Sequence, residues 1–529
     1  VDIEMAALGS QEQPAGQVET PGNRPAPAGE AGKYSAMSDE KGGFRFTSVR
    51  AGRYVLLGRK AGFLPSQYKA GSPSQMSAII VLKDGESAEV TLRMIPQGLI
   101  SGKVLDESGD PVDSGNVQVL SAMWLNGTPH YSVLKGVPVD DLGEFRIGGL
   151  GKGSYLVKFQ PRETALNPNL AGPARRDHSS RLVPAYYPNA ISVQSASAVV
   201  VGPGESVPGL DIVVRRARTY IVEGVLRTLE RPPEFASVTL APSGENVLAV
   251  VAGPGVLGPG GKFRFPSVPA GDYELYFVAG LGQGVSAGRR PIRVTDGDVT
   301  GLEIDALPPV SLTGHVSVEG GDLEGAPEAR VGLRPADLAI GPSYGATVGS
   351  DGKFELKNCS PGRYAVDVTP PDGFYVKKMR YGGIDVAGAQ INVTGLDSRL
   401  ELVLRRGAAR LRGRWPASVN DNRTSSGGDR VTLGAYYFVI PQDREISESD
   451  LRFGPLAEDG GFDAGGLAPG RYRVFALTSP APGLLMQPAT LAALEGLGAQ
   501  VTLGEGEAVE VVVPLLADDK AESLFNFQR

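Results

Sequence analysis

The sequence predicts an all-β protein of five tandem β-sandwich domains arranged as an extended rod. Three observations predict it. A Gly-x-Phe motif, followed ten residues after the Phe by a Tyr that has a Gly two places before it, occurs five times. Apolar residues alternate with polar ones on either side of every copy, the period of a half-buried strand. The 72 Gly and 41 Pro fall between those runs, where they serve turns.

The copies are Gly42/Phe44/Gly52/Tyr54, Gly143/Phe145/Gly153/Tyr155, Gly261/Phe263/Gly271/Tyr273, Gly352/Phe354/Gly362/Tyr364 and Gly460/Phe462/Gly470/Tyr472. Five residues after each Phe stands an apolar residue: Val49, Leu150, Val268, Cys359 or Leu467. Self-similarity at a fixed spacing marks a repeat architecture. Each copy reads as strand, tight turn, strand. In the third, Phe263-Arg-Phe265 and Tyr273-Glu-Leu275 alternate around Val-Pro-Ala-Gly-Asp, so the chain reverses with both rings on the core side. The ten Phe and Tyr residues are therefore structural anchors. A phosphate-binding loop would need G-x-G-x-x-G between a strand and a helix, and no helical pattern follows any copy.

Upstream of the motif lies an apolar-x-Gly-x-apolar strand: Ile100-Ser-Gly102-Lys-Val104, Val222-Glu-Gly224-Val-Leu226, Leu312-Thr-Gly314-His-Val316 and Leu411-Arg-Gly413-Arg-Trp415. A second strand follows it, as in Val117-Gln-Val119, Val238-Thr-Leu240, Val331-Gly-Leu333 and Val431-Thr-Leu433. Downstream, a Gly/Asp/Glu turn opens a closing strand such as Val90-Thr-Leu92 or Val509-Glu-Val511-Val-Val513. The 529 residues give about 106 per unit, the size of an immunoglobulin-like sandwich. Boundaries fall near 97, 217, 308 and 406, giving domains 1–97, 98–217, 218–308, 309–406 and 407–529. Closing strand runs almost directly into the next first strand, so the joints are short and restrict relative motion. Residues 161–188 form a long excursion in the second unit, and 488–497 suggest a short helix in the fifth.

These residues resemble the carboxypeptidase regulatory-like domain, through Gly-x-Phe-x-[Phe/Ile/Leu]-x-x-[Val/Leu]-x-x-Gly-x-Tyr and the Ile-Ser-Gly-Lys-Val-Leu-Asp-Glu-Ser-Gly-Asp-Pro-Val segment at 100–112. The resemblance implies immunoglobulin-like/transthyretin-like sandwiches, related in shape to the Cna-B modules of bacterial surface proteins, and covers nearly the whole chain. Arrays of this kind in acidobacterial secreted proteins are similar also in a Tyr-Tyr-Pro segment like Tyr186-Tyr187-Pro188. The family has no catalytic residues of its own, and fold alone does not give function. The Lys, Asn and acid needed for a Cna-B isopeptide crosslink do not recur across the units. Ala464, where the other copies carry Phe, Ile or Leu, weakens the fifth copy's strand.

The first unit opens differently. Val1-Asp-Ile3-Glu-Met5 aligns with the second strand of the other units, which leaves the first unit without its apolar-x-Gly-x-apolar strand. Such a sandwich exposes unpaired backbone that templates another strand. Two occupants are open: sequence upstream of Val1, or a strand donated head to tail by a neighbour. For the second, the tail Ser523-Leu-Phe525-Asn-Phe527-Gln-Arg529 has the required alternation, so Val1, Ile3, Met5, Phe525 and Phe527 are the candidate assembly residues. A head-to-tail contact that does not close on itself builds a filament.

Composition narrows the function classes. The net charge of −7 with no basic block disfavours nucleic acid. No run of 18 apolar residues exists, so no transmembrane segment is expected. A start at Val1 rather than Met suggests a processed, secreted chain at the cell surface or outside the cell. The single Cys359 sits at an apolar repeat position and reads as core rather than as a reactive thiol. His130, His178 and His315 lie in separate regions and offer no metal spacing, so no cofactor or metal is expected. Gly-x-Ser-x-Gly is absent, and no triad can be assembled, so the chain is expected not to be an enzyme. Asp106-Glu107-Ser-Gly-Asp110 and Asp296-Gly-Asp298 read as hairpin turns before they read as calcium ligands. Trp124, Tyr131, Tyr186 and Tyr187 are the candidate ligand loop: they either stack on a glycan or pack beneath the 161–188 excursion. The leading expectation is a structural spacer or filament subunit that self-associates or meets other surface proteins. The alternative is a carbohydrate- or peptide-binding adhesion module.

Overall fold

Each copy of the motif opens on a glycine that the backbone requires. In the computed structural model Gly42, Gly143, Gly261, Gly352 and Gly460 all have φ between 71° and 84°, a region that costs any side chain. Each donates its N–H to the carbonyl three residues earlier, on Asp39, Asp140, Gly258, Gly349 and Ala457. The turn residue's own N–H returns to the carbonyl one place after the glycine, so the same tight reversal precedes all five Phe residues. Asp39 and Asp140 brace their turns further, each Oδ1 accepting two backbone N–H groups.

The structure describes residues 1–7, 33–68, 80–125, 128–162, 180–228, 236–245, 257–280, 285–321, 329–336, 343–386, 390–394, 399–414, 436–443, 451–457, 460–477, 492–494 and 496–514. They form β-sandwiches in tandem. In the second domain one sheet holds Thr128–Pro138, Asn116–Leu125, Gly153–Gln160 and two short edge strands; the other holds Glu144–Leu150, Gly98–Leu105, and the closing pieces Ser206–Val207 and Ile212–Val213. The third, fourth and fifth domains repeat this plan. The first strand lies between the Phe-bearing strand, antiparallel to it, and the closing strand, parallel to it. The apolar alternation of both sheets meets between them, as the period of two demands. The resulting clusters run over 100–214, 220–306, 312–404 and 409–513, with a smaller one over 3–80 in the first domain.

The two halves of the motif do not pair as a hairpin, contrary to the expectation from sequence. Lys262–Pro269 pairs with Arg216–Thr228, whereas Gly271–Ala279 pairs with Ala236–Pro242 and Ser286–Val294 in the opposite sheet. The short turn is thus a corner that carries the chain across the sandwich. Its tyrosine closes the corner: the hydroxyls of Tyr54, Tyr155, Tyr273, Tyr364 and Tyr472 each donate to the carbonyl four residues earlier, at 2.6 to 2.9 Å. This is the arrangement of a tyrosine corner. The preceding glycine lets the ring fold back, since a Cβ on Gly153 would stand 3.2 Å from the Tyr155 ring.

The joints are held by named contacts. At the end of the first domain the Gln97 N–H donates to the Gly62 carbonyl and Phe63–Leu64 pairs with Ile95–Pro96, which sets the Leu64 side chain against Gly151 of the second domain. Lys158 meets Glu245 between the second and third. The Ser360 hydroxyl donates to the Val285 carbonyl between the third and fourth. The N–H groups of Gly407 and Ala408 share the Gly373 carbonyl at the last joint, beside the Arg405–Glu505 ion pair.

Candidate assembly site

The site follows from a pairing that four domains share. Phe145 stands opposite Gly102, Phe263 opposite Gly224, Phe354 opposite Gly314, and Phe462 opposite Gly413. All four rings are buried, and in the last three they lie over the glycine itself. The apolar-x-Gly-x-apolar pattern thus has a steric cause: the glycine opens the space that the Phe ring fills.

In the first domain no such partner strand is present among the described residues. Residues 44–46 and 90–92, read as strands from their alternation, take no strand pairing among the described residues. Their counterparts in the other domains pair with the first strand, and no strand stands between these two among the described residues. Their side chains still alternate. Phe44, Phe46, Val90 and Leu92 are half-buried against the Tyr54 and Leu56 core, while Arg45, Thr47, Glu89 and Thr91 are exposed. Phe44 is therefore less enclosed than Phe145, Phe263, Phe354 and Phe462. Among the described residues, the backbone of 44–46 and 90–92 has no ladder partner above its apolar side chains.

The candidate assembly residues divide accordingly. Ile3 and Met5 are 3% and 4% exposed, and their strand Asp2–Ala7 is already paired on both sides, with Lys33–Met37 and Gly52–Arg59. They build the complete sheet rather than the open one, so they do not receive a strand. Val1 packs on the same small core, and its amino group donates to Ser38 Oγ. Phe525 and Phe527 lie outside the described residues. The residues that sequence reasoning missed as a site are Phe44, Arg45, Phe46, Val90 and Leu92. Their signal was present: two alternating segments whose shared partner pattern does not occur before them.

The candidate ligand loop is dispersed. Tyr186 is 1% exposed and packs with Leu120, Leu156 and Val193 on the outer face of the second domain's sheet. A ring so enclosed offers no face to a sugar, so of the two expectations for Tyr186 packing is the one its burial fits. Tyr131 and Tyr187 are half-buried, Tyr131 against the same cluster and Tyr187 against the main core. Trp124 lies on Asn116–Leu125, with a side chain outside the described set.

Elsewhere the titratable groups serve the framework. Asp106 Oδ1 accepts the N–H groups of Ser108 and Asp110, which makes that acidic segment a turn. Asp298 accepts from the Ile221 N–H across the sheet. His315 is exposed on the first strand of the fourth domain. Burial, then the neighbouring Tyr34 hydroxyl, raise the Tyr54 hydroxyl above its ordinary range. Among the described residues no group of three or more His, Cys, Asp or Glu could hold a metal, and no helix is long and apolar enough to cross a membrane.

The chain matches no family model and no curated protein. Solved structures with similarity include the TIE protein of Bacillus anthracis, at 11% identity over 82% of this chain and 80% of that one, with a TM-score of 0.16. A minor pilin of Streptococcus agalactiae aligns at 15% identity over 41% and 83%, with a TM-score of 0.20. Two B repeat units of the collagen-binding protein of Staphylococcus aureus align at 12% identity over 72% and 92%, with a TM-score of 0.16. At such identities and scores these likenesses decide nothing about function.

Proposed function

We propose that this chain is a non-enzymatic structural protein of the cell surface or extracellular space, a row of β-sandwiches acting as a spacer or filament subunit that joins other copies through its first domain. The observation that carries the reading is that residues 44–46 and 90–92 take no strand partner among the described residues. Backbone donors and acceptors along an open sheet edge gain hydrogen bonds from an incoming strand, and the alternate side chains gain burial. Full burial of a Phe side chain is worth about 1.5–3 kcal/mol, part of which Phe44 and Phe46 forgo in the isolated chain. The contacts at each joint fit a load-bearing row. The extracellular placement rests on the motif's resemblance to the carboxypeptidase regulatory-like arrays of secreted proteins.

Sedimentation velocity and electron microscopy over a concentration series test this. Head-to-tail assemblies that shorten with Leu92→Glu, a change at a half-exposed position, are expected. Single rods at every concentration would refute the filament subunit. Deleting 521–529 adds a second arm: unchanged assembly length means that the tail is not the donated strand.

A further inference from the structure

We infer that the joint between the fourth and fifth domains is a salt-dependent hinge. It pivots at Gly407 and is held by two chains of solvent-facing ion pairs, so rising ionic strength frees this joint while those joining the second, third and fourth domains stay fixed. The inference concerns a single molecule and does not depend on how copies join.

The pivot is short. The last strand of the fourth domain, Leu400–Arg406, and the first of the fifth, Ala409–Arg414, are separated by Gly407 and Ala408 alone. Gly407 has a φ of 95°, a left-handed conformation that favours glycine, and a Cβ there would stand 2.6 Å from Glu505 Cγ. The core cluster of the fourth domain ends at Leu404 and that of the fifth begins at Ala409, so neither crosses the boundary. Backbone bonds converge on the pivot itself: Gly407 and Ala408 donate to the Gly373 carbonyl, and Gly506 donates to the Gly407 carbonyl. Bonds this close to the pivot anchor the connection and leave the angle between the domains to the side chains around it.

Those side chains are charged. In the fourth domain Glu319 accepts from Lys377 and lies 3.6 Å from Arg405 Nε, and Arg405 in turn bonds both carboxylate oxygens of Glu505 in the fifth, at 2.9 and 3.0 Å. In the second chain Asp372 of the fourth domain lies 3.9 Å from Arg410 of the fifth, which donates to Asp463 at 2.6 Å, and Arg412 donates to the other Asp463 oxygen. Each chain thus has one link across the boundary, Arg405–Glu505 or Arg410–Asp372. The four side chains in those links are 39% to 82% exposed. Salt weakens exposed pairs, since the Debye length falls from about 10 Å at about 0.1 M to about 3 Å at about 1 M, the scale of the pairs themselves. The two preceding joints lack this sensitivity. Lys158 and Glu245 are 6% and 12% exposed, and ions screen so enclosed a pair much less. The Ser360 hydroxyl that bonds the Val285 carbonyl is neutral, on a residue that is 0% exposed.

The test uses the full chain in a Cys359→Ala background with pairs of spin labels, diluted with unlabelled chain so that the distances are intramolecular. One pair, on Thr313→Cys and Thr502→Cys, spans the last joint, and another, on Arg146→Cys and Asp305→Cys, spans the joint between the second and third domains; all four positions are exposed. From about 0.1 M to about 1 M NaCl the first distance distribution is expected to widen about twofold while the second keeps its width. Asp372→Asn/Glu505→Gln removes both cross-boundary acids and leaves the Arg405–Glu319 and Arg410–Asp463 pairs in place. This variant should be wide already at low salt and respond little to more, with hydrogen-exchange protection of 400–406 and 470–477 retained, which separates a freed hinge from an unfolded domain. A first distribution that ignores salt, a second that widens as much, or a double variant that keeps the parent's response would overturn the inference.

Discussion

Lys158 Nζ donates to both carboxylate oxygens of Glu245, at 2.7 and 2.8 Å, across the boundary between the second and third domains. The two side chains are 6% and 12% exposed, and the ammonium also lies 5.4 Å from the centre of the Tyr186 ring. Gln194 adds a bond to the Ser243 carbonyl beside it. An ion pair this enclosed contributes little net stability as a pair, yet removal of one partner strands a buried charge.

Glu245→Ala should therefore open the joint between the second and third domains, at a local cost of about 3–5 kcal/mol. Spin labels on the two domains should report a broader distance distribution. The double variant Lys158→Met/Glu245→Leu, which removes both charges, should return it toward the parent width. An unchanged distribution in Glu245→Ala would show that the pair does not hold the joint.

Gly314→Val should disrupt the fourth domain selectively. Its branched side chain would occupy the volume of the Phe354 ring, and overpacking of this kind costs about 1–3 kcal/mol or more. Hydrogen exchange should accelerate across 310–318 and 353–359 while the second domain keeps its protection. Phe354→Ala should cost about 3–5 kcal/mol, as for other buried aromatics. Phe44→Ala should cost less, because the Phe44 ring is already half-exposed.

Much of this was legible in the sequence. Period-two alternation located the strands of both sheets, since each buries one face, and the repeat placed the Phe and Tyr anchors. The sequence could not show that Phe263 and Tyr273 lie in different sheets. Tight-turn chemistry is the same whether a chain folds back beside itself or crosses a sandwich. Nor could it show that Tyr273 bonds the Pro269 carbonyl, although Gly271 two places earlier carried the hint. That residues 1–97 show no apolar-x-Gly-x-apolar strand ahead of Phe44 was readable by comparing the units, whereas Ile3 and Met5 were assigned to the candidate site because they lie beside it in sequence. In space they belong to the complete sheet, and the segments without a strand partner among the described residues lie opposite, at Phe44 and Leu92.

Alkaline pH should loosen the corners. Burial raises the Tyr273 and Tyr364 hydroxyls above their ordinary value of 10.0. For an acid whose folded value is raised, the unfolded chain deprotonates first, so stability is full below about pH 10 and declines as pH rises above it. Urea midpoints should be level from pH 7 to about 9 and fall by pH 11. Tyr364→Phe, which leaves the Ser360 carbonyl without its 2.7 Å donor, should cost about 1–3 kcal/mol at neutral pH and flatten part of that alkaline decline. An unchanged alkaline decline in this variant would place its source elsewhere.

Cys359 should report the opening of the fourth domain. The side chain is fully buried at the corner, its Sγ directed at the Leu356 carbonyl, and burial pushes the thiol up to about 11. Thiolate is the reactive form, so at pH 8 the folded chain combines an inaccessible sulfur with very little thiolate. Disulfide reagents should therefore leave native protein unlabelled at pH 8 and modify one thiol per chain once urea unfolds the domain. Gly314→Val should bring labelling forward to lower urea, because Gly314 and Cys359 lie on the paired strands Val310–Val318 and Lys353–Cys359. Glu245→Ala should not, since its joint is remote from that pairing. Rapid labelling of the native parent would show that the corner opens without unfolding of the domain.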